Sequence, residues 1–401
     1  MAIVGGGPAG AALAIRLAAQ GTDVAIFERL SAPRWRACGV FSSPLTRRHL
    51  ADLGLAPERL AALIRPIRAM AVESTRGPAC TFDYGPPEHA CGLDRVRLER
   101  ALLDRAVEFG ARVYEGAPVL ALALADAAGG RSGASELTVS VEGMAEIVRT
   151  RLVVGADGPG SMVARAHGVD RPIRRLRRAG LTAHRLDPQA SPEGTAMTAR
   201  MVIGDGWYCG IAPVPGGRVN IGLVIGERGL RESTRSGATP ADILRAHLEK
   251  MPGLRAAWQD QPESDPVAVA LPLAHRVSQR AGPGFLLVGD ACGFVDPLSG
   301  DGLHRALASA ELAADAILAD RGGRLDALPH YDRRMRSRFA PKDLISWILQ
   351  VFLARPAAMD YVLRRLASRN AIRTTLGNVL ADLEDPRHAL DPRFIAGLLA
   401  P

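Results

Sequence analysis

Ala2-Ile3-Val4-Gly5-Gly6-Gly7-Pro8-Ala9-Gly10, a helical run closed by Gly21, and then Val24-Ala25-Ile26-Phe27-Glu28 decide the fold of this chain. The first three residues predict a short buried strand. Apolar residues at Ala12, Leu13, Leu17 and Ala18 predict a helix packed on it, and Val24 to Phe27 a second strand. Strand, glycine turn, helix, strand and terminal carboxylate make a βαβ unit with a dinucleotide fingerprint. Gly5 permits the tight turn, Gly7 lets the backbone approach a pyrophosphate, and Gly10 lets helix pack on strand. Pro8 and Ala9 open the helix, whose free N–H groups attract negative charge. Glu28 lies eighteen residues beyond Gly10, where its carboxylate accepts hydrogen bonds from adenosine ribose, with Arg29 beside it. A ligand-free glycine turn with a surface Glu28 is the alternative. One fingerprint does not separate NAD from FAD.

Working outward, Leu93 to Gly110 reads as an amphipathic helix and Arg112-Val113-Tyr114 as a parallel strand. Period-2 patterning over Leu137 to Val141 and Glu146 to Val154 predicts a β-meander running into Gly155-Ala156-Asp157-Gly158. From about Arg171 to Ala274 short strands alternate with Gly and Pro turns, an antiparallel sheet inserted into the first domain. Phe285 to Val288 returns to a buried strand, Leu303–Leu318 is helical, and the residues after Pro329 are helices punctuated by Pro341, Pro356 and Pro386. The expected class is α/β (α+β overall). A discontinuous Rossmann-like domain covers 1–60, 92–168 and 275–328, a substrate-binding β-sheet domain covers 61–91 and 169–274, and a helical C-terminal region covers 329–401.

Composition narrows the function. Apolar residues at 47% and charged residues at 23% are those of a folded chain, which rules out global disorder. Five cysteines without a CxxC pair argue against a disulfide scaffold and a structural zinc, and suit a reducing cytosol. The net charge is +8, and all basic residues except Lys250 and Lys342 are arginines spread along the chain. With aromatics at 4% there is no base-stacking platform, so nucleic acid is not an expected partner. No apolar run reaches the ~18–20 residues of a membrane span, and no secretory leader is evident. The expected place is the cytoplasm, with peripheral membrane contact left open.

Two further glycine–carboxylate motifs follow apolar strands: Val154-Gly155-Ala156-Asp157-Gly158, and Gly289-Asp290-Ala291-Cys292-Gly293-Phe294-Val295-Asp296-Pro297-Leu298-Ser299-Gly300-Asp301-Gly302. In a parallel sheet these strand ends form the ligand edge. With Asp94-Arg95 opening a helix, the blocks resemble the glutathione-reductase-type FAD fold of flavoproteins related to para-hydroxybenzoate hydroxylase. Arg36-Ala37-Cys38-Gly39, the Gly293–Gly302 run, and Trp207 through Asn220-x-Gly222 resemble the geranylgeranyl reductase branch. The resemblance covers nearly the whole chain.

That resemblance implies FAD as cofactor, with NAD(P)H or a reduced protein as electron donor, since no second complete fingerprint is present. It places Asp290 beside the ribityl–pyrophosphate region and Gly302 and Leu303 at the pyrimidine edge of the flavin. There a helix N-terminus would face the negative charge of the reduced ring. Pro297, Gly300 and Gly39 let main chain approach, and Arg95 and Asp157 join the cofactor contacts. Cys38 falls near flavin and substrate, where its thiol could donate a proton; a small buried hydrophobe is the alternative. Asp290 as a helix N-cap and Arg95 as an exposed helical arginine are the ordinary readings of those two. Trp207, Tyr208 and Ile211 would line a substrate cavity or simply fill the core. The Arg171, Arg174, Arg175, Arg177, Arg178 run is either a diphosphate clamp or, more usually, a solvated face. Leu344 to Leu353 is apolar, and is read as core packing or a lipid-tunnel wall in preference to membrane docking.

Departures from related groups separate the reactions. Aromatic hydroxylases of this type carry His after Gly-Asp-Ala, where this chain has Cys292. Flavin-dependent halogenases need an early lysine and Trp-x-Trp, and this chain has no lysine before Lys250 and reads Trp207-Tyr208-Cys209. The expected activity is a reductase or dehydrogenase acting on carbon–carbon bonds of a hydrophobic, isoprenoid-like or natural-product substrate, with hydride transfer at flavin N5. A single-component monooxygenase using NAD(P)H and O2 and a flavoprotein electron relay are the alternatives.

Overall fold

The computed structural model describes residues 1–84, 89–124, 134–173, 176–187, 190–253, 266–319 and 328–399. Its opening segment is strand Ala2–Val4, helix Pro8–Ala18 and strand Ala25–Phe27, all but one of whose residues are buried. Ala2–Val4 pairs in parallel with Ala25–Phe27 on one side and with Val153–Gly155 on the other. Phe285–Leu287 and Arg112–Tyr114 extend the parallel sheet, and Ala281–Gly282 closes one edge antiparallel. Three central strands therefore come from residues about 150 and 130 apart in sequence. Their side chains are apolar without alternation, as burial on both faces demands. Helix Pro8–Ala18 packs against Arg95–Glu108 and Gly302–Ala319. Small residues also bring the Gly289–Cys292 turn close to the first helix: a Cβ on Gly289 would fall 2.7 Å from the Ala9 Cβ.

The expected meander divides in two. Ser135–Val141 pairs with Met144–Thr150 and Val119–Ala123 in a separate antiparallel sheet, whereas Val153–Gly155 belongs to the parallel one. Arg151-Leu152 breaks the strand between them, a change of sheet that period-2 patterning does not reveal.

The second sheet contains nine strands among the described residues. It runs Ala268–Ala270, Arg178–Leu186, Arg218–Gly226, Trp207–Val214, Met197–Ile203, Ile64–Ser74, Ala90–Leu93 and Phe41–Ser42, with Ala79–Asp83 also on Ile64–Ser74. Strand pairing thus draws in Phe41–Ser42, from the segment 1–60 assigned to the first domain. His275–Val277 pairs with both Asp170–Pro172 and Gly293–Phe294, tying the two parts together. One face of the large sheet packs under helices Glu227–Arg235 and Pro240–Leu248. The opposite face looks toward the glycine-rich 293–302 segment and the helices Leu328–Leu353, Pro356–Ser368 and Asn370–Leu380.

The apolar run 344–353 is only half core. Ile345 and Leu353 are buried, but Leu344, Trp347, Ile348 and Val351 stand outward. Among the described residues no helix is long and apolar enough to cross a membrane.

Candidate functional site

The glycine turn has the shape its spacing predicts. Gly5 has φ +104°, and a Cβ there would strike the Ala156 carbonyl oxygen at 2.5 Å. A Cβ on Gly10 would fall 2.1 Å from the Gly5 carbonyl oxygen, so helix and turn touch through bare backbone. Gly7 differs: it is the extended N-cap of Pro8–Ala18, and a Cβ there meets no protein atom within 4 Å. Pro8 and Ala9 form the first turn. The Glu28 carboxylate is fixed at the end of the second strand, accepting from Gly6 N at 2.7 Å and Leu30 N at 3.0 Å. Arg29 is exposed. Asp157, at the end of the third strand, accepts from Met162 N at 2.7 Å while its Oδ1 is buried without a partner. Burial pushes its carboxyl up against the hydrogen bonds it accepts.

At the next strand ends, Cys38, Arg95 and Asp290 are brought within electrostatic reach of one another. Asp94 caps helix Arg95–Glu108 by accepting from Arg97 N at 3.1 Å. The cap directs Arg95 inward, where it meets Glu99 at 3.1 Å and keeps a buried, unpartnered Nε. Arg36 reaches the same Glu99 at 2.5 Å. Burial pushes the half-buried Cys38 thiol up; Arg95 and Arg36 oppose this, and Glu99 and Asp290 reinforce it. The Asp290 carboxyl is likewise raised by burial, against His275, Arg95 and Arg305. Asp290 caps no helix; Asp296 takes that role in the next turn, accepting from Leu298 N at 3.0 Å. Pro297 starts that turn, and Gly300 ends it at φ +66°, with space for a Cβ closed off by the Phe41 ring at 2.5 Å. Gly302 is the first residue of the long helix and Leu303 is buried behind it. Gly39 is exposed, with no atom near a Cβ.

The large sheet supplies the adjoining wall. Tyr208 is buried and donates to Asp296 Oδ1 at 2.5 Å, and the Arg178 guanidinium lies 5.7 Å from its ring and 3.9 Å from Asp296. Trp207 and Ile211 do not join this wall. Strand residues alternate faces, so both point the opposite way, into the core under the Pro240–Leu248 helix, where Trp207 meets His247 edge-on. The grouping of 207, 208 and 211 as one cavity lining is corrected on that ground. Cross-strand register puts Thr182, Gly222 and Gly210 in one row beside Tyr208, and His184, Asn220 and Ala212 in the next. Thr182 Oγ1 and Asn220 Nδ2 are buried without partners, and the His184 ring lies 4.2 Å from that of Trp35, tilted by 40°.

Of the basic run, Arg171 bonds backbone carbonyls at the surface and Arg177 pairs with Glu227. Arg178 alone turns inward, while Arg174 and Arg175 lie outside the described residues. Thr182, Asn220 and Asp296 were not singled out from the sequence, and Arg178 was singled out only as one of the basic run. The even-numbered alternation from 178 to 184 was the available signal. Cys292 is interior, donating to Leu287 O at 2.9 Å. Neither lysine reaches this wall: Lys250 is exposed beyond the Pro240–Leu248 helix, and Lys342 is buried against Asp382 and Leu380 O.

The donor set fits FAD. The Gly7 position, which any side chain would fill, faces the N-terminus of Pro8–Ala18, and Glu28 is poised at the second strand end. The buried Nε of Arg95 and Oδ1 of Asp157 are unsatisfied within the protein.

Comparison with known proteins agrees. The family profile described as FAD binding domain matches residues 1–336. A menaquinone reductase of Mycobacterium tuberculosis is 30% identical over 357 residues, covering 80% of each chain. A digeranylgeranylglycerophospholipid reductase 2 of Methanothermobacter thermautotrophicus is 28% identical over 84% of this chain and 83% of its own. Among solved structures, a flavin-dependent halogenase is 26% identical with TM-score 0.74, over 85% of this chain and 62% of its own.

Proposed function

The chain belongs to the FAD-binding-domain family of oxidoreductases, and from that premise we propose that it reduces a carbon–carbon double bond in a hydrophobic, isoprenoid-like substrate. When bound and reduced, FAD would supply a hydride to one carbon of such a bond, and the neighbouring carbon would need a proton. Gly7 and the first turn of Pro8–Ala18 would hold the pyrophosphate, Glu28 the adenosine ribose, and Arg95, Asp157 and Asp290 the central part of the cofactor. The start of Gly302–Ala319 would direct its N–H groups at the flavin. NAD(P)H or a reduced protein supplies the electrons.

One observation carries this reading: Cys38, Arg95 and Asp290 converge within electrostatic reach of one another beside the glycine-rich 293–302 turn that opens helix Gly302–Ala319, and burial raises the thiol. The thiol would give its proton to the second carbon, and Arg95, which opposes the effect of burial, would stabilise the thiolate left behind. The wall carrying Tyr208, Thr182 and Asn220 receives the substrate. Halogenation is not supported, because Lys342 is committed to Asp382 and Lys250 lies beyond the helices on the far face.

The test is anaerobic. The flavin is reduced chemically and mixed with a polyprenyl quinone or an unsaturated isoprenoid lipid. Reoxidation with a saturated product supports the proposal. Reoxidation only in oxygen with a hydroxylated product indicates the monooxygenase, and reoxidation only by a protein acceptor indicates the relay.

A further inference from the structure

We propose that the outward face of helix Leu328–Leu353 docks on an anionic lipid bilayer. Leu344, Trp347, Ile348 and Val351 are 50%, 39%, 37% and 49% exposed. Their spacing of three, four and seven residues puts them on one stripe of the helix. A core helix would bury such a stripe, and in this chain it is turned to solvent. The inner face of the same stretch does the packing, through Ile345 and Leu353.

Charge identifies the occupant. Exposed Arg333 lies three turns before Leu344 on the stripe's side, and exposed Arg355 lies one turn after Val351. The stretch 333–355 contains one carboxylate, Asp343, which is half-buried and bonded to Arg305. The whole chain carries +8. An apolar stripe with Trp at its centre, arginines at both ends and no exposed acid matches the boundary between acyl chains and anionic headgroups. A second copy of the chain fits poorly: the four side chains expose on the order of 300 Å², against about 800 Å² per partner in a stable protein pair.

The docking rests on the proposed hydrophobic substrate for its purpose. Gln350, on the buried side of the helix, lies against Asp296 of the candidate site. The bilayer would therefore lie about one helix diameter, 10–12 Å, from the wall that receives the substrate, so a lipid need not cross bulk water.

The test measures binding without turnover and so is separate from the assignment of the reaction. FAD-loaded protein is floated with phosphatidylcholine vesicles, with and without phosphatidylglycerol. Wild type is expected to float with the anionic vesicles and to be released at ~1 M salt, where screening acts beyond about 3 Å. The double variant Ile348→Glu, Val351→Glu is expected to bind roughly tenfold more weakly while retaining its flavin absorbance and circular dichroism. Equal binding by the double variant overturns the proposal, as does failure of wild type to float. So does a wild-type dimer in sedimentation that the double variant dissociates. If the double variant does not fold, Trp347→Ser provides the same comparison.

Discussion

Gly7 and Gly10, three residues apart, are predicted to fail in different ways. A side chain at Gly7 meets no protein atom, so Gly7→Val should fold normally and purify colourless, because valine occupies the place of the pyrophosphate. Gly10→Val drives a side chain into the Gly5 carbonyl and should yield little soluble protein. Circular dichroism and bound-flavin absorbance separate the two. Cys38→Ser should keep FAD but lose turnover by about a hundredfold or more if the thiol gives the proton; unchanged kinetics would leave it a packing role. At this scale the sequence was readable wherever backbone geometry restricts the residue type, as at Gly5 and Gly10. It was only half readable for Arg178, one of five arginines within eight positions: alternation sets it on one face with Thr182 and His184, but only tertiary placement shows that this face is turned inward.

Strand and helix patterns told most of the element order, since hydrophobic period depends on burial and burial on the layers. What they missed is the assignment of neighbouring strands to sheets: Met144–Thr150 and Val153–Gly155 are nearly contiguous but belong to different ones. Alternation also decides which face a residue takes. Tyr208 therefore reaches Asp296 while Trp207 and Ile211 serve the opposite core. Helix Arg95–Glu108 offers a test of an element's terminus. Asp94 both caps it and meets Arg218 at 3.2 Å. Asp94→Ala should cost about 1 kcal/mol in urea unfolding. Asp94→Asn, which keeps a capping oxygen, should cost clearly less.

Across the whole molecule, helix Gly302–Ala319 and the C-terminal helices are held by buried charges. Lys342 pairs with Asp382, and Arg305 with Asp301 and Asp343. His304 lies among them, its imidazole pushed down to about 4 by burial, with Asp382 opposing. The folded chain therefore keeps His304 neutral below pH ~6.5, where the unfolded chain takes up a proton. Its contribution turns unfavourable as pH falls from about 6.5 to about 4, by about 2 kcal/mol at pH ~5. His304→Gln should flatten that part of the stability profile. Asp301, held down to about 2 by Lys342 and Arg305 despite its burial, contributes stability above pH ~4 that disappears as pH falls through about 2.

The parallel sheet places Ala2–Val4 against Val153–Gly155, and that strand against Phe285–Leu287. A ribosome adding about 5–20 residues per second delivers the last of these on the order of 15–60 s after the first. Until Val153–Gly155 emerges the leading strand has a bare, wholly apolar edge, and from then until Phe285–Leu287 arrives Val153–Gly155 has one, a target for chaperones and a hazard for aggregation. The coenzyme gains a complete berth only once the chain has been made as far as Gly302, so flavin supply acts on a long nascent chain and not on its opening βαβ unit alone.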